Sequence, residues 1–347
     1  MPYDLAQMQS LPLEAKIIMT KERIRQWHEY WDGMVYVSFS GGKDSTVLKH
    51  LVDSMYDDVP ALFVNTGLEY PEIQKFVKDI KSGKWDCFNP DVEIVRPKYR
   101  FDEVVKEYGY PVASKEISRK IYYAKKGSEW AKKFVDGTAE YNNKQSRYVV
   151  SKRFLPLMEA EFDVSPLCCD VMKKNPSKAY GKQTGRKPII GTMADESEIR
   201  RQAWIRTGCN AFKTKKPQSK PLSFWTEQDI LQYIKKYNVP YCSVYGEIIA
   251  TDKTEQAKGQ MTTFDLLDDY EGTLLTTTGC DRTGCIFCMF GCHLDPKPNR
   301  FQRLKETHPR QYEYCINGGE MVDGKWQPSK EGLGLGKVLD YIGVKYD

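Results

Sequence analysis

The stretch VYVSFSGGKDSTVL, residues 35–48, decides the fold that this chain of 347 residues is predicted to adopt. A short apolar run at residues 34–39 leads into six small or polar residues, Ser40-Gly41-Gly42-Lys43-Asp44-Ser45, which open directly into a helical pattern. Two glycines let backbone N–H groups converge, a helix N-terminus adds unpaired N–H groups, and Lys43 adds a cation. An ordinary glycine turn is the simpler interpretation, but this order of strand, loop and helix favours a phosphate-binding site at residues 40–45.

Strand and helix patterns alternate on either side of this loop. Apolar runs at residues 61–64, 92–95 and 187–191 predict further strands, and helical spacing predicts helices at 13–31, 46–56, 71–81, 101–108 and 226–236. This alternation indicates an α/β protein with a doubly wound, mostly parallel, Rossmann-like sheet. Such sheets bind ligands at the carboxyl ends of their strands, where we expect the loop at 40–45 to lie together with residues 65–70.

The composition is that of a globular protein, with 40% hydrophobic and 29% charged residues. No apolar run approaches the roughly 20 residues that span a bilayer, and the first ten residues, MPYDLAQMQS, lack the features of a signal peptide. We therefore expect a cytoplasmic protein without a membrane partner. In that reducing compartment the ten cysteines are expected to bind metal or handle sulfur.

Three regions are predicted along the chain: an N-terminal helical segment at 1–33, a nucleotide-binding domain at 34–250, and a cysteine-rich region at 251–347 that opens with a polar insertion at 251–271. A basic insertion at 115–153 carries eleven lysines and arginines against four acidic residues, with aromatic residues between them. Cations among aromatic rings favour nucleic-acid binding, although a solvated helical face is an equal alternative. The candidate nucleic-acid contacts are Lys120, Lys125, Lys126, Lys132 and Lys133.

Two groups of cysteines predict a metal site. Adjacent Cys168 and Cys169 form the first group, and the second contains the C-x-x-C step of Cys285 and Cys288, whose thiolates can point at one centre. Two ligand sets are open. Either Cys280, Cys285, Cys288 and Cys292 hold zinc, or a [4Fe-4S] cluster joins Cys168, Cys169, Cys285 and Cys288.

The loop at 40–45 resembles the SGGxDS loop of the PP-loop ATP pyrophosphatases, which cleave ATP between the α and β phosphates. The motifs that follow it resemble, in order, the phosphoadenosine/adenosine phosphosulfate (PAPS/APS) reductase family of the adenine nucleotide alpha-hydrolase superfamily. The resemblance covers residues 34–292. Its motifs are Asn65-Thr66-Gly67 with Tyr70-Pro71-Glu72, Cys168-Cys169 with Lys173 and Pro176, Gly191 with Glu196, Ser197 and Arg200, the run 221–234 (PLSFWTEQDILQYI), and Gly284-Cys285 with Cys288.

This resemblance implies an adenine nucleotide and an iron–sulfur cluster as cofactors. Cluster-bearing members hold [4Fe-4S] with a Cys-Cys pair and a later C-x-x-C, which assigns Cys168, Cys169, Cys285 and Cys288 as ligands and leaves zinc as the alternative. The implied nucleotide-binding residues are Ser38, Ser40, Gly41, Gly42, Lys43, Asp44, Ser45, Asn65, Thr66, Gly67, Gly191, Glu196, Arg200 and Arg201.

Three departures separate the chain from the reductases. Lys43 completes a loop that is usually degenerate in the reductases, Met193 stands where they have an arginine, and the E-C-G-L-H tail is absent, since Cys315 matches no motif. The departures favour ATP with Mg²⁺ over PAPS or APS as the nucleotide.

Three functions are weighed from the sequence. The first is adenylation by ATP cleavage, with Lys43 and Asp44 at the phosphates, followed by sulfur transfer to an acceptor such as tRNA or DNA. The sulfur comes from a donor protein and is carried by the cluster, Cys280 or Cys292. The second is a PAPS/APS reductase that releases sulfite with a thiol reductant protein. The third is a nucleic-acid-binding sensor without turnover. The sequence gives no indication of the oligomeric state.

Overall fold

The structure is a computed structural model that describes residues 5–141, 144–146, 148–252 and 273–347. The predicted polar insertion at 251–271 therefore lies outside the described residues from residue 253 onward. The chain forms two compact units whose segments interleave along the sequence. Unit 1 contains Met1–Asn65, Glu69–Arg96 and Pro176–Thr283, and unit 2 contains Thr66–Leu68, Pro97–Asn175 and Gly284–Asp347.

The helices and strands of the described residues are numbered in chain order. The helices are α1 Leu5–Gln9, α2 Leu13–Tyr30, α3 Lys43–Asp53, α4 Pro71–Lys81, α5 Phe101–Tyr108, α6 Lys115–Lys125, α7 Glu129–Val135, α8 Asn175–Thr184, α9 Glu198–Thr207, α10 Glu227–Lys236, α11 Arg300–Thr307, α12 Pro309–Ile316 and α13 Leu335–Tyr341. The strands are β1 Val35–Phe39, β2 Ala61–Val64, β3 Val92–Val95, β4 Glu140–Tyr141, β5 Lys144–Gln145, β6 Lys187–Ile190, β7 Asn210–Ala211, β8 Gln218–Ser219, β9 Ile248–Asp252, β10 Thr273–Thr277, β11 Glu320–Val322 and β12 Lys325–Gln327.

A six-stranded sheet in the order β3-β2-β1-β6-β8-β7 forms the centre of unit 1. All its neighbouring strands are parallel except β7, which runs antiparallel to β8. Val37 of β1 pairs with Ala61 on one side and Ile189 on the other, and all three are fully buried. Their short, continuously apolar strands are typical of a sheet covered on both faces.

Helices cover both faces of this sheet. Val35, Val37 and Phe39 share the main core with α2, α3, α4 and α10, whereas Tyr36 points to the other face and packs edge-on against Tyr180 of α8, with ring centroids 5.0 Å apart. The alternation follows from the two-residue repeat of a strand. The predicted doubly wound, mostly parallel α/β sheet is confirmed.

The helix after the glycine loop begins three residues earlier than predicted. It starts at Lys43 instead of residue 46, because Gly42 has the extended backbone of an N-cap residue and Asp44 suits the positive end of the helix dipole. Lys43, Asp44 and Ser45 therefore form the first turn of α3. The predicted strands at 61–64 and 92–95 and helices at 71–81 and 101–108 are confirmed as they stand.

Unit 2 is built from α5, α6, α7, α11, α12 and α13, together with a 3₁₀ helix at Lys152–Met158 and the β11–β12 hairpin. Its core includes Tyr110, whose hydroxyl donates to the Leu333 carbonyl oxygen at 2.8 Å. A single π-helical turn, Asp170–Lys174, follows the two adjacent cysteines. Among the described residues of both units, no helix is long and apolar enough to cross a bilayer.

Candidate functional site

The glycine loop has the geometry of an anion site. Gly41 has a φ of +72°, and a Cβ there would lie 2.8 Å from Ile73, so only glycine fits without a shift. The Ser40 and Ser45 hydroxyl oxygens lie 2.9 Å apart, and the Ser40 N–H donates to the Ser45 hydroxyl at 3.2 Å. These bonds close the loop, and its end is the N-terminus of α3, where unpaired N–H groups and the helix dipole favour an anion.

Gly191 brings the end of β6 against the first turn of α3. A Cβ at Gly191 would lie 3.0 Å from the Asp44 carbonyl oxygen and 3.2 Å from the Ser45 Cα, both backbone atoms that cannot move aside easily. The structure thus places Gly191, predicted from its motif, directly beside the loop.

Lys43 is buried and held by side chains from other parts of unit 1. Its ammonium lies 2.8 Å from the Glu227 carboxylate and donates to the Asp281 carbonyl oxygen. Its backbone N–H donates to the Tyr245 hydroxyl at 3.1 Å, and that hydroxyl lies 2.6 Å from the Thr283 hydroxyl. Both the cation and one N–H group of the loop therefore have protein oxygens as partners.

Asp44 carries a buried oxygen atom that fits a cation. Its Oδ1 has no hydrogen-bond partner within the part of the chain that the structure describes. Burial raises the pKa of Asp44 to about 6, the charges of Glu196 and Glu227 raise it further, and Lys43 and Arg282 oppose the rise. A carboxylate oxygen without a partner beside an anion loop suits Mg²⁺, which prefers oxygen ligands.

Glu196 interacts with two arginines in unit 1. Its carboxylate accepts the Met193 N–H at 2.9 Å, pairs with Arg200 and lies 3.9 Å from the Arg282 guanidinium. Met193 thus contributes its backbone to the turn, while Arg200 and Arg282 supply the cations. Arg201 is exposed on α9.

The remaining predicted nucleotide residues lie near strand ends. Ser38 of β1 pairs with Leu62 and Ile190 in the ladder, and the Asn65 N–H donates to the Val95 carbonyl oxygen at 2.8 Å. Thr66 and Gly67 belong to unit 2, where the Thr66 hydroxyl accepts the Leu68 N–H at 3.1 Å.

Sequence reasoning missed five residues at the loop. Glu227 lies within the quoted run 221–234, so its motif was a usable signal. The others stand in no motif and were found only through their contacts. These residues are Glu227, Tyr245, Asp281, Arg282 and Thr283.

Four cysteine thiols form one electrostatic group in unit 2. The Cys168 and Cys169 sulfurs lie 3.9 Å apart at the start of the π-helical turn. The hydrogen bond with Cys169 and burial raise the pKa of Cys168, and the charges of Cys169, Cys288 and Cys285 raise it further. The chain thus brings the adjacent pair and the C-x-x-C step near one another within a single unit.

Positively charged side chains lie near these four cysteines. The hydrogen bond from Cys168 lowers the pKa of Cys169, burial opposes this, and the ammonium groups of Lys115, Lys173 and Lys174 lower the pKa further. Arg300 donates to the Cys288 carbonyl oxygen at 3.1 Å and also pairs with Asp295. Such charges stabilise thiolates, the form in which cysteine binds metal.

Across the described ranges, no group of three or more His, Cys, Asp or Glu side chains is arranged to hold a single metal ion. One zinc ion with bonds of about 2.3 Å to four sulfurs would need all of them about 4 Å apart. A [4Fe-4S] cluster likewise takes four thiolate ligands, so the thiols of Cys168, Cys169, Cys285 and Cys288 within one unit suit either group.

The other two cysteines considered for zinc or catalysis belong to different units. Cys280 belongs to unit 1, where its N–H donates to the Val244 carbonyl oxygen and its charge acts on Cys242. Cys292 is buried in unit 2, and burial raises its pKa to about 11 while Arg300 lowers it and Asp295 raises it.

The five predicted nucleic-acid lysines differ in exposure. Lys120 is buried, donates to the Tyr148 carbonyl oxygen and lies 4.6 Å from the Phe134 ring centroid, and Lys125 is half-buried. Lys132 pairs with Glu129 at 2.7 Å. Lys126 and Lys133 are exposed. Part of the basic insertion is therefore a packed helical layer, and part presents its charge at the surface.

A mostly parallel α/β sheet with a glycine loop between the end of β1 and the start of α3 is consistent with the PP-loop superfamily. Within this class, the model of the phosphoadenosine phosphosulfate reductase domain matches residues 34–290. The chain belongs to that family.

Two curated relatives from Methanocaldococcus jannaschii are both described as uncharacterized proteins. The first is 26% identical over 152 residues, which cover 42% of this chain and 36% of the relative. The second is 37% identical over 90 residues, which cover 25% of this chain and 18% of the relative. The matches thus span little more than a third of the first relative and less than a fifth of the second.

A solved structure, the phosphoadenylyl-sulfate (PAPS) reductase from Candida auris in a phosphate complex, is also similar. It is 16% identical, with a TM-score of 0.38 over 65% of this chain and 82% of that chain.

Proposed function

We propose that this protein binds ATP with Mg²⁺ at residues 40–45 and cleaves it between the α and β phosphates to activate an acceptor for sulfur transfer. The single observation that carries the proposal is Lys43, a buried cation at the N-terminus of α3 within a complete glycine loop. The resemblance to the reductases, whose loop usually lacks this lysine, makes Lys43 the residue that favours ATP over a sulfonucleotide.

The loop supplies binding and charge stabilisation. The N–H groups of the first turn of α3 would face the β and γ phosphates, and Lys43 would exchange Glu227 and the Asp281 carbonyl oxygen for phosphate oxygens. The Oδ1 atom of Asp44 would hold Mg²⁺, which offsets negative charge on the phosphates. Arg200 and Arg282, which both interact with Glu196, would bind the remaining phosphate oxygens.

The chemistry then has three balanced steps. An oxygen of the acceptor attacks the α-phosphate, the α–β phosphoanhydride bond breaks, and pyrophosphate leaves. The outer sulfur of a donor persulfide next attacks the activated carbon, and AMP leaves with the oxygen. A thiol reductant then breaks the S–S bond of the C–S–S link, which leaves the sulfur on the acceptor and the reductant in a disulfide. Cys280 and Cys292 are proposed carriers of that sulfur, and the donor is a separate protein.

An iron–sulfur cluster is proposed as the resident cofactor. Cys168, Cys169, Cys285 and Cys288 would hold [4Fe-4S], with Lys115, Lys173 and Lys174 offsetting its charge. When bound, the cluster can bind or relay sulfur and electrons. All ten cysteines are free of disulfides, which supports the further proposal of a reducing, cytoplasmic compartment.

A second candidate function is PAPS or APS reduction with release of sulfite, which family membership favours. In that case an external thiol protein would supply the electrons, and ATP would not be consumed. A nucleic-acid-binding sensor would bind nucleotide and nucleic acid but form no product.

One experiment separates these functions. Anaerobically purified protein is incubated with ATP and Mg²⁺, with PAPS or with APS, in the presence and absence of tRNA, single-stranded DNA and a thiol, and pyrophosphate, AMP and sulfite are measured. We expect pyrophosphate and AMP from ATP, and a loss of at least 10-fold in Lys43→Ala, since a hydrogen bond from a charged group contributes about 1.5–3 kcal/mol. The control is Lys75→Ala, which removes an exposed lysine from α4. Sulfite from PAPS or APS without pyrophosphate from ATP would overturn the proposal.

A further inference from the structure

An open pocket of about 330 Å³ lies in unit 2 beside α6 and α7. Its lining residues are Arg119, Tyr123, Ser128 and Trp130. None of these residues belongs to the proposed nucleotide loop or to the four cysteines that are proposed as cluster ligands. The pocket therefore needs a separate explanation.

Flat side chains border the pocket and remain exposed. Trp130 keeps 44% and Tyr123 keeps 41% of their surface accessible. The Arg119 guanidinium lies over the Trp130 ring at 4.9 Å from its centroid, and Phe134 supports the same ring at 5.1 Å. Aromatic rings and a guanidinium plane are the groups on which unpaired bases stack in single-stranded nucleic acids.

The helical surface that carries the pocket is basic. Arg119 and Tyr123 of α6 and Lys126, the residue that follows this helix, stand at spacings of four and three residues and are all exposed. Lys120, Ile121 and Ala124 of α6 are buried. Over residues 115–135 the chain has seven lysines and arginines but two glutamates. Glu116 lies 3.5 Å from Arg119, and Glu129 pairs with Lys132. The surface therefore keeps a positive charge around the exposed rings.

We propose that this pocket binds an unpaired base of a single-stranded nucleic acid. The base stacks on Tyr123, Trp130 and the Arg119 plane, and the exposed ammonium groups of Lys126 and Lys133 contact the flanking phosphates. An apolar peptide would gain nothing from the cations, and a duplex offers no free base to the rings. Binding of the strand requires no turnover. The inference rests on the proposed function only in identifying the acceptor of the sulfur as a nucleic acid.

The test measures binding of the full chain to fluorescent 15-nucleotide single-stranded DNA and RNA by anisotropy. Trp130→Ala and Tyr123→Ala should each weaken binding roughly 5- to 100-fold, the usual effect of removing one stacking ring. Arg119→Lys, which keeps the positive charge but removes the planar guanidinium, should also weaken binding. Trp130→Phe, which keeps an aromatic ring, should retain most of the affinity. Tyr99→Ala is the matched control, since Tyr99 belongs to unit 2 and is also 41% exposed.

Two further measurements define the ligand class. Lys133→Gln should weaken binding to every sequence and reduce the salt dependence by about one phosphate contact. A duplex of the same sequence should bind more weakly than the single strand. Equal binding of duplex and single strand, or equal effects of Trp130→Ala and Tyr99→Ala in folded variants, would overturn the proposal and indicate general attraction to a polyanion.

The outcome is separable from the fate of the proposed function. If strand binding depends on Trp130 but ATP gives no pyrophosphate, this pocket stands and the adenylation proposal fails. If ATP is cleaved but the Trp130→Ala variant binds strands like the wild type, the pocket proposal fails alone.

Discussion

At the scale of single residues, Lys43 and Asp44 are neighbours in the first turn of α3 that carry opposite charges and differ in whether they have a partner. Lys43 has protein oxygens as partners, whereas the Asp44 Oδ1 is buried and has none among the described residues. A bound pyrophosphate with Mg²⁺ would change the partners of both residues. Phosphate oxygens would contact the Lys43 ammonium, and the metal ion would bind the Asp44 Oδ1. We expect the protein without ligand to be destabilised by Asp44 in its ionised form.

This destabilisation predicts a pH dependence. The pKa of Asp44 rises from 3.8 to about 6 on folding, so folding favours the protonated carboxyl, and the stabilisation is present below pH 4 and lost as the pH rises through 6. The loss amounts to at most about 3 kcal/mol at 1.36 kcal/mol per pKa unit. In the absence of Mg²⁺ and nucleotide, urea unfolding of Asp44→Asn should show a flatter profile between pH 4 and 6 and greater stability at pH 7. Identical profiles for both proteins would contradict the buried, unpaired carboxylate.

At the scale of elements, the site depends on how closely β6 approaches α3. Gly191 allows this approach, and the buried Lys16–Asp229 ion pair at 2.8 Å fixes α10, whose first residue is Glu227, against α2. Trp225 adds a hydrogen bond from its indole N–H to the Thr20 hydroxyl at 2.8 Å. Glu227 is thus presented to Lys43 by helices that pack in the core.

Gly191→Ala tests this close approach. The added methyl group would press on the backbone of Asp44 and Ser45, so we expect a loss of about 1–3 kcal/mol in stability and at least 10-fold weaker binding of ATP with Mg²⁺. The control is Gly284→Ala, because a Cβ there meets nothing within 4 Å. Thermal unfolding and calorimetric titration give the two readouts. Wild-type affinity in a folded Gly191→Ala variant would show that the β6–α3 contact does not shape the loop.

The sequence predicted the elements of the sheet better than the contacts between loops. Strands such as β2 and β3 are short apolar runs with clear ends, and the glycine loop and the cysteine pairs have local motifs, so each could be found from its own residues. Tyr245, Asp281 and Thr283 could not, because they reach the loop from about 200 or more residues away through tertiary packing. The burial of Lys120 was missed for the same reason, since charge counts do not reveal which face of α6 is covered.

At the scale of the whole molecule, the two units draw on alternating segments of the chain. The four proposed cluster ligands lie in unit 2, but they come from two of its segments, Pro97–Asn175 and Gly284–Asp347. A cluster held by all four thiols would cross-link these segments, much as a structural metal does, and its binding energy would add to the stability of the unit.

Removal of a proposed ligand should therefore change both metal content and stability. After anaerobic reconstitution we expect about four irons per chain with broad visible absorbance, and a marked loss of iron in Cys169→Ser and Cys288→Ser. Chelation should lower the unfolding temperature of the wild type but not of these variants. Cys87→Ser is the matched control, since Cys87 is exposed in unit 1. One tightly bound zinc without iron, or full iron in the Cys169→Ser variant, would contradict the cluster.

The position of β1 between β2 and β6 also bears on how the chain is made. Ribosomes add about 5–20 residues per second, so β6, which begins at Lys187, is made roughly 7–30 seconds after β1. During this interval one edge of a very apolar strand is open to pairing with other chains. We therefore expect fragments that end before residue 187 to aggregate, which light scattering of the purified fragments would measure.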